Sequence, residues 1–211
     1  MANISSLIGG FRVFKATEFS KLRDMIRHVI QLGQKPTTVV VCCSDMRLSP
    51  GTIFSSNPGD VYVVSNIGGL VPAYGESKGS GIQASIEHAI NNMEIENIVV
   101  MGHAHCSVLK DYLNMNEKNA EKNKEIKQWL DIGKAAKDAV LAQLGDKDEE
   151  EKEISHVQET VLVSLKNLLS YPNIGKKIDS NKVKLYGWMV NLRDGQLMAF
   201  NPQTRMFDTI E

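Results

Sequence analysis

The sequence has no excess of charge of either sign, because 24 basic and 25 acidic side chains leave a formal net charge of −1 over 211 residues. A protein that binds nucleic acid carries a basic surface, and no such surplus exists here. Long apolar runs are also missing. The longest, 39–43 and 98–101, fall far short of the roughly 20 residues that a membrane span needs. We therefore expect neither a nucleic-acid-binding nor a membrane protein.

Cysteine is scarce: the chain has three, and two of them, Cys42 and Cys43, are neighbours. Three cysteines cannot form a disulfide framework, and a bond between adjacent cysteines strains the backbone. The N-terminal stretch has no basic region followed by an apolar segment, so no secretory signal is expected. These features predict a reduced, cytoplasmic protein whose thiols serve another purpose.

Short, continuously apolar runs alternate with segments of helical periodicity. The predicted strands are 39–42, 61–64, 97–101, 183–190 and 197–200. The predicted helices are 16–33, 82–90 and 157–168. Runs without polar alternation are typical of strands buried in a parallel sheet, and Asp194-Gly195 favours a hairpin turn. The pattern predicts an α/β fold: a central, mostly parallel β-sheet flanked by helices, with an antiparallel C-terminal strand pair.

No linker divides the chain, and we expect a single α/β domain over residues 1–211. Residues 1–35 are interpreted as an N-terminal helical arm. Residues 116–153, rich in Lys, Glu and Asn, are interpreted as a charged helical segment with a solvated turn at 145–153. This charged face is expected to be ordinary solvent-exposed surface rather than a partner-binding site.

Three candidate metal ligands follow two of the predicted strands. Cys43 lies just past one strand, and His103 and Cys106 lie just past another. Parallel α/β sheets bind ligands at the carboxyl ends of their strands, so neighbouring strands would bring the three side chains together. Two thiolates and one imidazole suit Zn²⁺, and three protein ligands leave the open fourth position that marks catalytic zinc.

The residues after Cys43 add a carboxylate and a guanidinium. Asp45 and Arg47 alternate with Cys43, so in an extended loop the three side chains point the same way. We infer that Asp45 accepts a hydrogen bond from zinc-bound water or hydroxide and that Arg47 holds Asp45 ionised and away from the metal. The alternative is a closed structural site, whose fourth ligand would be His105 or Asp45. The sequence leaves open whether Asp45 closes the resting site.

At these residues the sequence resembles the β-class carbonic anhydrases, and the resemblance runs from about Gln34 to Phe200. The matching motifs, in chain order, are Gln34-Lys35-Pro36, Pro58-Gly59-Asp60, Asn66-Ile67-Gly68, 79–89, Gly102-His103-x-x-Cys106, 157–172, Gly187-Trp188 and Asp194-Gly195-Gln196-Leu197. One departure lies beside a candidate ligand, because Ser107 follows Cys106 where the family usually has glycine.

The resemblance implies a lyase that reversibly hydrates carbon dioxide to bicarbonate and a proton through zinc-bound hydroxide. It implies that Cys43, His103 and Cys106 hold Zn²⁺ and that Asp45 and Arg47 form the catalytic dyad. It further implies a homodimer or higher homo-oligomer, since this family completes its substrate pocket across a dimer interface. By position, the expected substrate-binding residues are Gln34, Tyr62, Ile67 and His88.

Two other functions stay open. The same fold and metal would also serve a zinc hydrolase of CO₂-like molecules such as CS₂ or COS, and access to the pocket decides between them. A non-enzymatic zinc- or redox-sensing module would use Cys42, Cys43 and Cys106. The presence of Asp45 and Arg47 speaks against a sensor, which needs no group to direct an attacking lone pair.

Overall fold

A computed structural model of the chain describes residues 3–77, 79–145 and 147–210. Its centre is a six-stranded sheet in the order β2-β1-β3-β4-β5-β6. The strands are β1 (Thr38–Cys43), β2 (Val61–Asn66), β3 (Asn97–His103), β4 (Lys184–Asn191), β5 (Gln196–Asn201) and β6 (Met206–Ile210). Strands β1 to β4 are parallel, and β5 and β6 continue the sheet in antiparallel pairing. The predicted α/β fold is confirmed.

Helices flank the sheet. They are α1 (Ile4–Thr17), α2 (Phe19–Leu32), α3 (Pro50–Ile53), α4 (Gly81–Asn92), α5 (Ser107–Leu113), α6 (Glu117–Lys122), α7 (Lys124–Leu130), α8 (Lys134–Leu144), α9 (Glu149–Leu168) and α10 (Pro172–Asp179). Short 3₁₀ turns lie at Ile67–Gly69 and Asp131–Gly133. Within the described ranges, none of the helices is both long and apolar enough to pass through a bilayer.

The central strands are buried on both faces, which explains their continuous apolar sequence. Val39 and Val41 of β1 face one side and pack in a core with residues of α4, α9 and α10. Val40 and Cys42 face the other side, where they pack against β3 and the aromatic side chain of Phe54. Alternate residues of a strand point to opposite faces, so both layers of the core are present in one short run.

Helix α9 lies close against the sheet because two glycines leave room for it. A Cβ added to Gly102 in β3 would lie 2.5 Å from Cγ1 of Val157, and one added to Gly187 in β4 would lie 2.8 Å from Cδ1 of Leu165. Both separations are shorter than van der Waals contact. The helix therefore packs directly over β3 and β4, beside the carboxyl end of β3 that carries His103.

Two local predictions are corrected. The acidic stretch 145–153 is not wholly a solvated turn, because Glu149–Glu153 form the start of α9 (Asp146 lies outside the described residues). The Asp148 side chain caps this helix by accepting from the backbone N–H of Glu150. Carboxylates near a helix N-terminus favour the helix through its dipole, so the same acidic run stabilises helical structure.

The second correction concerns the two ends of the chain. The predicted helix 16–33 corresponds to α2, which begins only at Phe19, and residues 16–17 are the end of a separate helix, α1. Strand β6 was not predicted. Its residues are mostly exposed and lack a strong apolar run, so its strand structure comes from pairing with β5 in the register Leu197 to Ile210. The antiparallel C-terminal part of the sheet therefore contains β5 and β6 next to β4.

The N-terminal arm makes little contact with the rest of the chain. Helices α1 and α2 pack mainly on each other, and neither contains a buried residue. Helix α1 nevertheless presents large apolar side chains, with Ile4 71%, Leu7 60% and Phe11 63% exposed. Apolar surface of this extent on one helix is typical of a segment that packs against a second chain.

Candidate metal centre

Cys43, His103 and Cys106 lie together at the carboxyl edge of the sheet. Cys43 and His103 are the last residues of the paired strands β1 and β3, and Cys106 is the N-cap of α5. The two Sγ atoms are 3.6 Å apart, and the ligand atoms of all three side chains lie within 4.8 Å of one another. All three residues are buried. The expected convergence is observed, and it follows from the pairing of β1 with β3.

The two thiols share a hydrogen bond that favours the ionised form of Cys43. This bond from Cys106 is the main reason that the pKa of Cys43 is lowered, and the same bond raises the pKa of Cys106. The backbone N–H groups of Asp45 and Gly68 also donate to Cys43 Sγ, each at 3.3 Å. A cation in place of the shared proton allows both sulfurs to be thiolates.

His103 supplies an independent test of whether a metal ion fits. Its Nδ1 lies 3.1 Å from the Ala104 carbonyl oxygen, to which it can donate in the tautomer that leaves Nε2 unprotonated. Among the described residues, Nε2 of His103 is buried and has no hydrogen-bond partner. An orphaned ring nitrogen beside two thiols is the donor set of a soft, four-coordinate metal site. The residues present fit a metal ion.

The carboxylate of Asp45 is held away from this cluster. Its Oδ2 accepts hydrogen bonds from the Ser107 hydroxyl at 2.8 Å and the Ser107 N–H at 3.0 Å, and Arg47 Nη1 lies 3.4 Å away. Burial acts to raise the pKa of Asp45, but the Ser107 hydrogen bonds and the Arg47 charge outweigh it and leave that pKa below its usual value. Asp45 is thus an ionised acceptor.

Neither candidate for a fourth protein ligand belongs to the described metal-capable group. Asp45 is held by Ser107 and Arg47, and His105 turns its Nε2 toward Glu150 at 3.7 Å. In this structure the Asp45 carboxylate is bound to Ser107 and Arg47 and is not part of the three-residue group.

Ser107 is a site residue that the sequence analysis did not assign. It is the first residue of α5, so its N–H has no partner inside the helix and is free to donate to Asp45. A helix that starts directly after a candidate ligand was the available signal. What the sequence did not show was that the Asp45 loop lies over this helix end.

The four expected pocket residues are not all near the cluster. Ile67 is, because it directly follows β2 and precedes Gly68, the donor to Cys43. Tyr62 is not: it pairs with Val39, four residues before Cys43 on β1, which is roughly 13 Å along a strand.

The other two pocket residues lie with Tyr62 rather than with the cluster. The His88 ring is 6.3 Å from the Tyr62 ring. Gln34 precedes β1 and lies against the turn at Gly59 that precedes β2, at the amino edge of the sheet. Within one chain, Gln34, Tyr62 and His88 therefore do not contact the candidate metal ligands.

Cys42 is separated from the cluster. It packs with Val40, Val99 and Met101 on the opposite face of the sheet from Cys43, as the alternation of side chains along a strand predicts. Burial is the main reason that the pKa of its thiol is raised. A buried and protonated thiol is unreactive, which weighs against a redox sensor built on three converging cysteines.

Comparison with known proteins gives one consistent result. A family model described as carbonic anhydrase matches residues 38–197. A carbonic anhydrase of Synechocystis sp. is 34% identical over 195 residues, which cover 92% of this chain and 70% of that relative. Beta carbonic anhydrase 3 of Arabidopsis thaliana is 31% identical over 185 residues, which cover 87% of this chain and 71% of that protein.

Solved structures agree with these sequence matches. The structure of the β-carbonic anhydrase CcaA has a TM-score of 0.93 at 32% identity and covers 99% of this chain and 100% of its own. A structure described among two tetrameric β-carbonic anhydrases from Sordaria macrospora shares the fold, with a TM-score of 0.81 at 23% identity over 93% of this chain and 96% of its own. This chain belongs to the β-carbonic anhydrase family.

Proposed function

We propose that this protein catalyses the zinc-dependent, reversible hydration of carbon dioxide to bicarbonate and a proton. The observation that carries the proposal is the buried cluster of Cys43, His103 and Cys106 beside a carboxylate, Asp45, that is held off it. Three donors without a fourth protein ligand leave room for a water molecule or substrate, as catalytic zinc sites require. The relatives described above are carbonic anhydrases, which supports the same reaction here.

The two Sγ atoms and Nε2 of His103 would hold Zn²⁺. The chemistry that the ion supplies in such a site is Lewis acidity, which makes hydroxide available from water near neutral pH. Two thiolates neutralise the charge of the ion, which weakens its effect on a bound water molecule. The polar groups around the cluster are therefore more important for orienting the reactants.

Asp45 is the group that orients the attacking water in this proposal. Its carboxylate accepts a hydrogen bond from that water and so directs an oxygen lone pair toward the carbon of CO₂. The hydrogen bonds from Ser107 and the ion pair with Arg47 keep Asp45 ionised and fixed in direction. Arg47 thus acts on the reaction through Asp45, and also lies 3.3 Å from Nδ1 of His103.

The surroundings of the cluster suit a small apolar substrate. Buried side chains of Leu70, Leu109, Leu130 and Met189 pack in the same cluster as Cys43 and Cys106. This shell keeps bulk water away from the donors, and the exposed Ile67 lies at its edge. An apolar approach favours CO₂ over charged competitors.

The test is stopped-flow CO₂ hydration with protein whose zinc content is measured. We expect kcat/KM in the ordinary enzyme range of about 10⁴–10⁸ M⁻¹ s⁻¹ with one zinc per chain. Removal of the metal by a chelator should abolish the activity, and added Zn²⁺ should restore it. CS₂ and COS serve as comparison substrates. A zinc-loaded protein that does not exceed the buffer rate with CO₂ would contradict the proposal.

We also propose that the protein forms a homodimer or a higher homo-oligomer. The exposed apolar side chains of α1 and the unpaired edge of β2, with Val63 44% exposed, are surfaces that a second copy would cover. Tyr62 and His88 lie away from the cluster of their own chain. An interface of this kind would allow them to contribute to a partner's pocket.

An acidic substitution on α1 tests this assembly. We expect wild-type protein to sediment as a dimer or larger species, and Phe11→Glu, combined with Leu7→Glu, to shift it to lower mass, because buried charge opposes association. Leu141→Glu, on the exposed face of α8, is the matched control and should leave the mass unchanged. Sedimentation of the wild type as a monomer at tens of micromolar would refute the assembly.

A further inference from the structure

The peptide unit between Ile67 and Gly68 is held from both of its sides. Its carbonyl oxygen, on Ile67, accepts a hydrogen bond from the indole Nε1–H of Trp129 at 2.8 Å. Its N–H, on Gly68, donates to Cys43 Sγ at 3.3 Å. These two groups belong to one planar unit, so the direction of the carbonyl determines the direction of the N–H.

We propose that Trp129 is a positioning residue for the metal centre: by holding the Ile67 carbonyl, it keeps the Gly68 N–H directed at the Cys43 thiolate. The inference rests on the proposed role of Cys43 as a metal ligand. It extends the centre to a residue 86 positions away in the sequence, on a helix of the charged segment.

This peptide needs an external hold because of its backbone. Gly68 and Gly69 have φ values of 79° and 65°, in the left-handed region that glycine enters without steric cost. A residue without Cβ also offers little resistance to rotation of the peptide before it. A rotated peptide would point the Ile67 carbonyl oxygen toward the sulfur, and two electron-rich atoms would then face each other.

Helix α7 is placed to provide that hold. Leu130, next to Trp129, is buried, and its Cδ2 would lie 3.3 Å from a Cβ added to Gly68. The end of α7 thus packs directly on the turn that follows β2. Trp129 itself is half-buried beside the same apolar cluster as the two cysteines. The indole therefore reaches the carbonyl from a well-packed helix rather than from a free loop.

Cys43 Sγ accepts hydrogen bonds from two backbone N–H groups, and without the hold from Trp129 it would lose the one from Gly68. The other donor is the N–H of Asp45. Hydrogen bonds to a ligand atom orient it and stabilise its ionised form, and loss of such an outer partner typically lowers metal affinity 10–100-fold. Because Trp129 acts through a peptide rather than directly, we expect the lower end, about tenfold weaker zinc binding.

Trp129→Phe removes the N–H and keeps an aromatic ring on α7. Two readouts are needed: hydrogen exchange of the Gly68 amide in metal-free protein, and zinc dissociation constants from competition with a chromophoric chelator. We expect faster exchange at Gly68, by more than twofold, and about tenfold weaker zinc binding. The control is Trp188→Phe, which alters the other tryptophan of the chain. Trp188 lies on the opposite face of the sheet from Cys43, where its ring centroid is 5.5 Å from that of Phe54. The control should change neither readout.

A second variant separates the hydrogen bond from packing. In the Trp188→Phe background, biosynthetic replacement of the remaining tryptophan with benzothienylalanine keeps the ring shape and removes only the N–H. This protein should show the faster Gly68 exchange and the weaker zinc binding that are expected of Trp129→Phe. It therefore still tests the hydrogen bond if the phenylalanine variant folds poorly.

The proposal is overturned if the folded variants keep Gly68 exchange and zinc affinity within twofold of wild type, or if Trp188→Phe changes both equally. Neither readout requires turnover. Failure of the wild-type protein to hydrate CO₂ would therefore count against the proposed function, while these measurements still decide the role of Trp129.

Discussion

Cys43→Ser will lose both the bound zinc and the CO₂ hydration activity. A serine hydroxyl does not ionise near neutral pH, so the substitution removes one of two sulfur donors from a group that offers three ligands in all. Removing an outer partner of a metal ligand already costs 10–100-fold. Loss of a ligand itself should exceed the upper end of that range, about 100-fold, in zinc affinity and in kcat/KM.

The adjacent cysteine provides a closely matched control. Cys42→Ser makes the same chemical change one residue earlier, but Cys42 packs on the opposite face of the sheet with Val40 and Met101. It should keep one zinc per chain and near wild-type activity, although burying a hydroxyl there lowers stability by about 1–3 kcal/mol. Zinc content measured on both purified variants decides the matter. One zinc per chain in Cys43→Ser would show that the ligand set is wrong.

Arg47→Ala should leave zinc bound and reduce kcat/KM by about 100-fold. The guanidinium lies 3.4 Å from Oδ2 of Asp45 and 3.3 Å from Nδ1 of His103 but is not one of the three candidate ligands, so its removal leaves all three metal-binding atoms in the chain. Without this charge, Asp45 is retained only by Ser107 and is free to turn toward the cluster of Cys43, His103 and Cys106. The carboxylate then no longer orients water, and it competes for the open position.

Stopped-flow rates and zinc content of Arg47→Ala are best compared with those of Arg193→Ala. Arg193 forms an ion pair of the same kind, with Glu150 at 2.8 Å, on the protein surface. Surface pairs contribute about 0–1 kcal/mol, so the control should lose little stability and keep its activity within about twofold. Wild-type turnover in Arg47→Ala would show that Asp45 does not depend on Arg47, and loss of zinc would show that Arg47 acts on the ligands instead.

The parts of the fold that the sequence predicted are those with strong local patterns. The apolar runs of β1 and β3 reflect burial on both faces of the sheet. These strands could therefore be predicted from their own residues, without knowing which elements pack against them. The motifs Cys43-x-Asp45-x-Arg47 and His103-x-x-Cys106 follow these strands, so the carboxyl edge of the sheet could be identified as the candidate site. Weak or mixed patterns failed: β6 exists through pairing with β5, and the acidic run at 149–153 is helical because Asp148 caps it.

Contacts between distant segments account for the rest. Composition and spacing in the chain determined the α/β class, the two strand ends and the identity of three convergent side chains that could hold a metal ion. Only the tertiary structure showed that Ser107 holds Asp45 and that Trp129 reaches the Ile67 carbonyl, each across 62 positions. It also placed Tyr62 away from the cluster of its own chain. The physical reason is that the periodicity of apolar residues in the sequence reflects only whether each residue is buried or exposed. The hydrogen bonds of Ser107 and Trp129 depend instead on how packed helices and loops bring donors from remote segments within 3 Å of their acceptors.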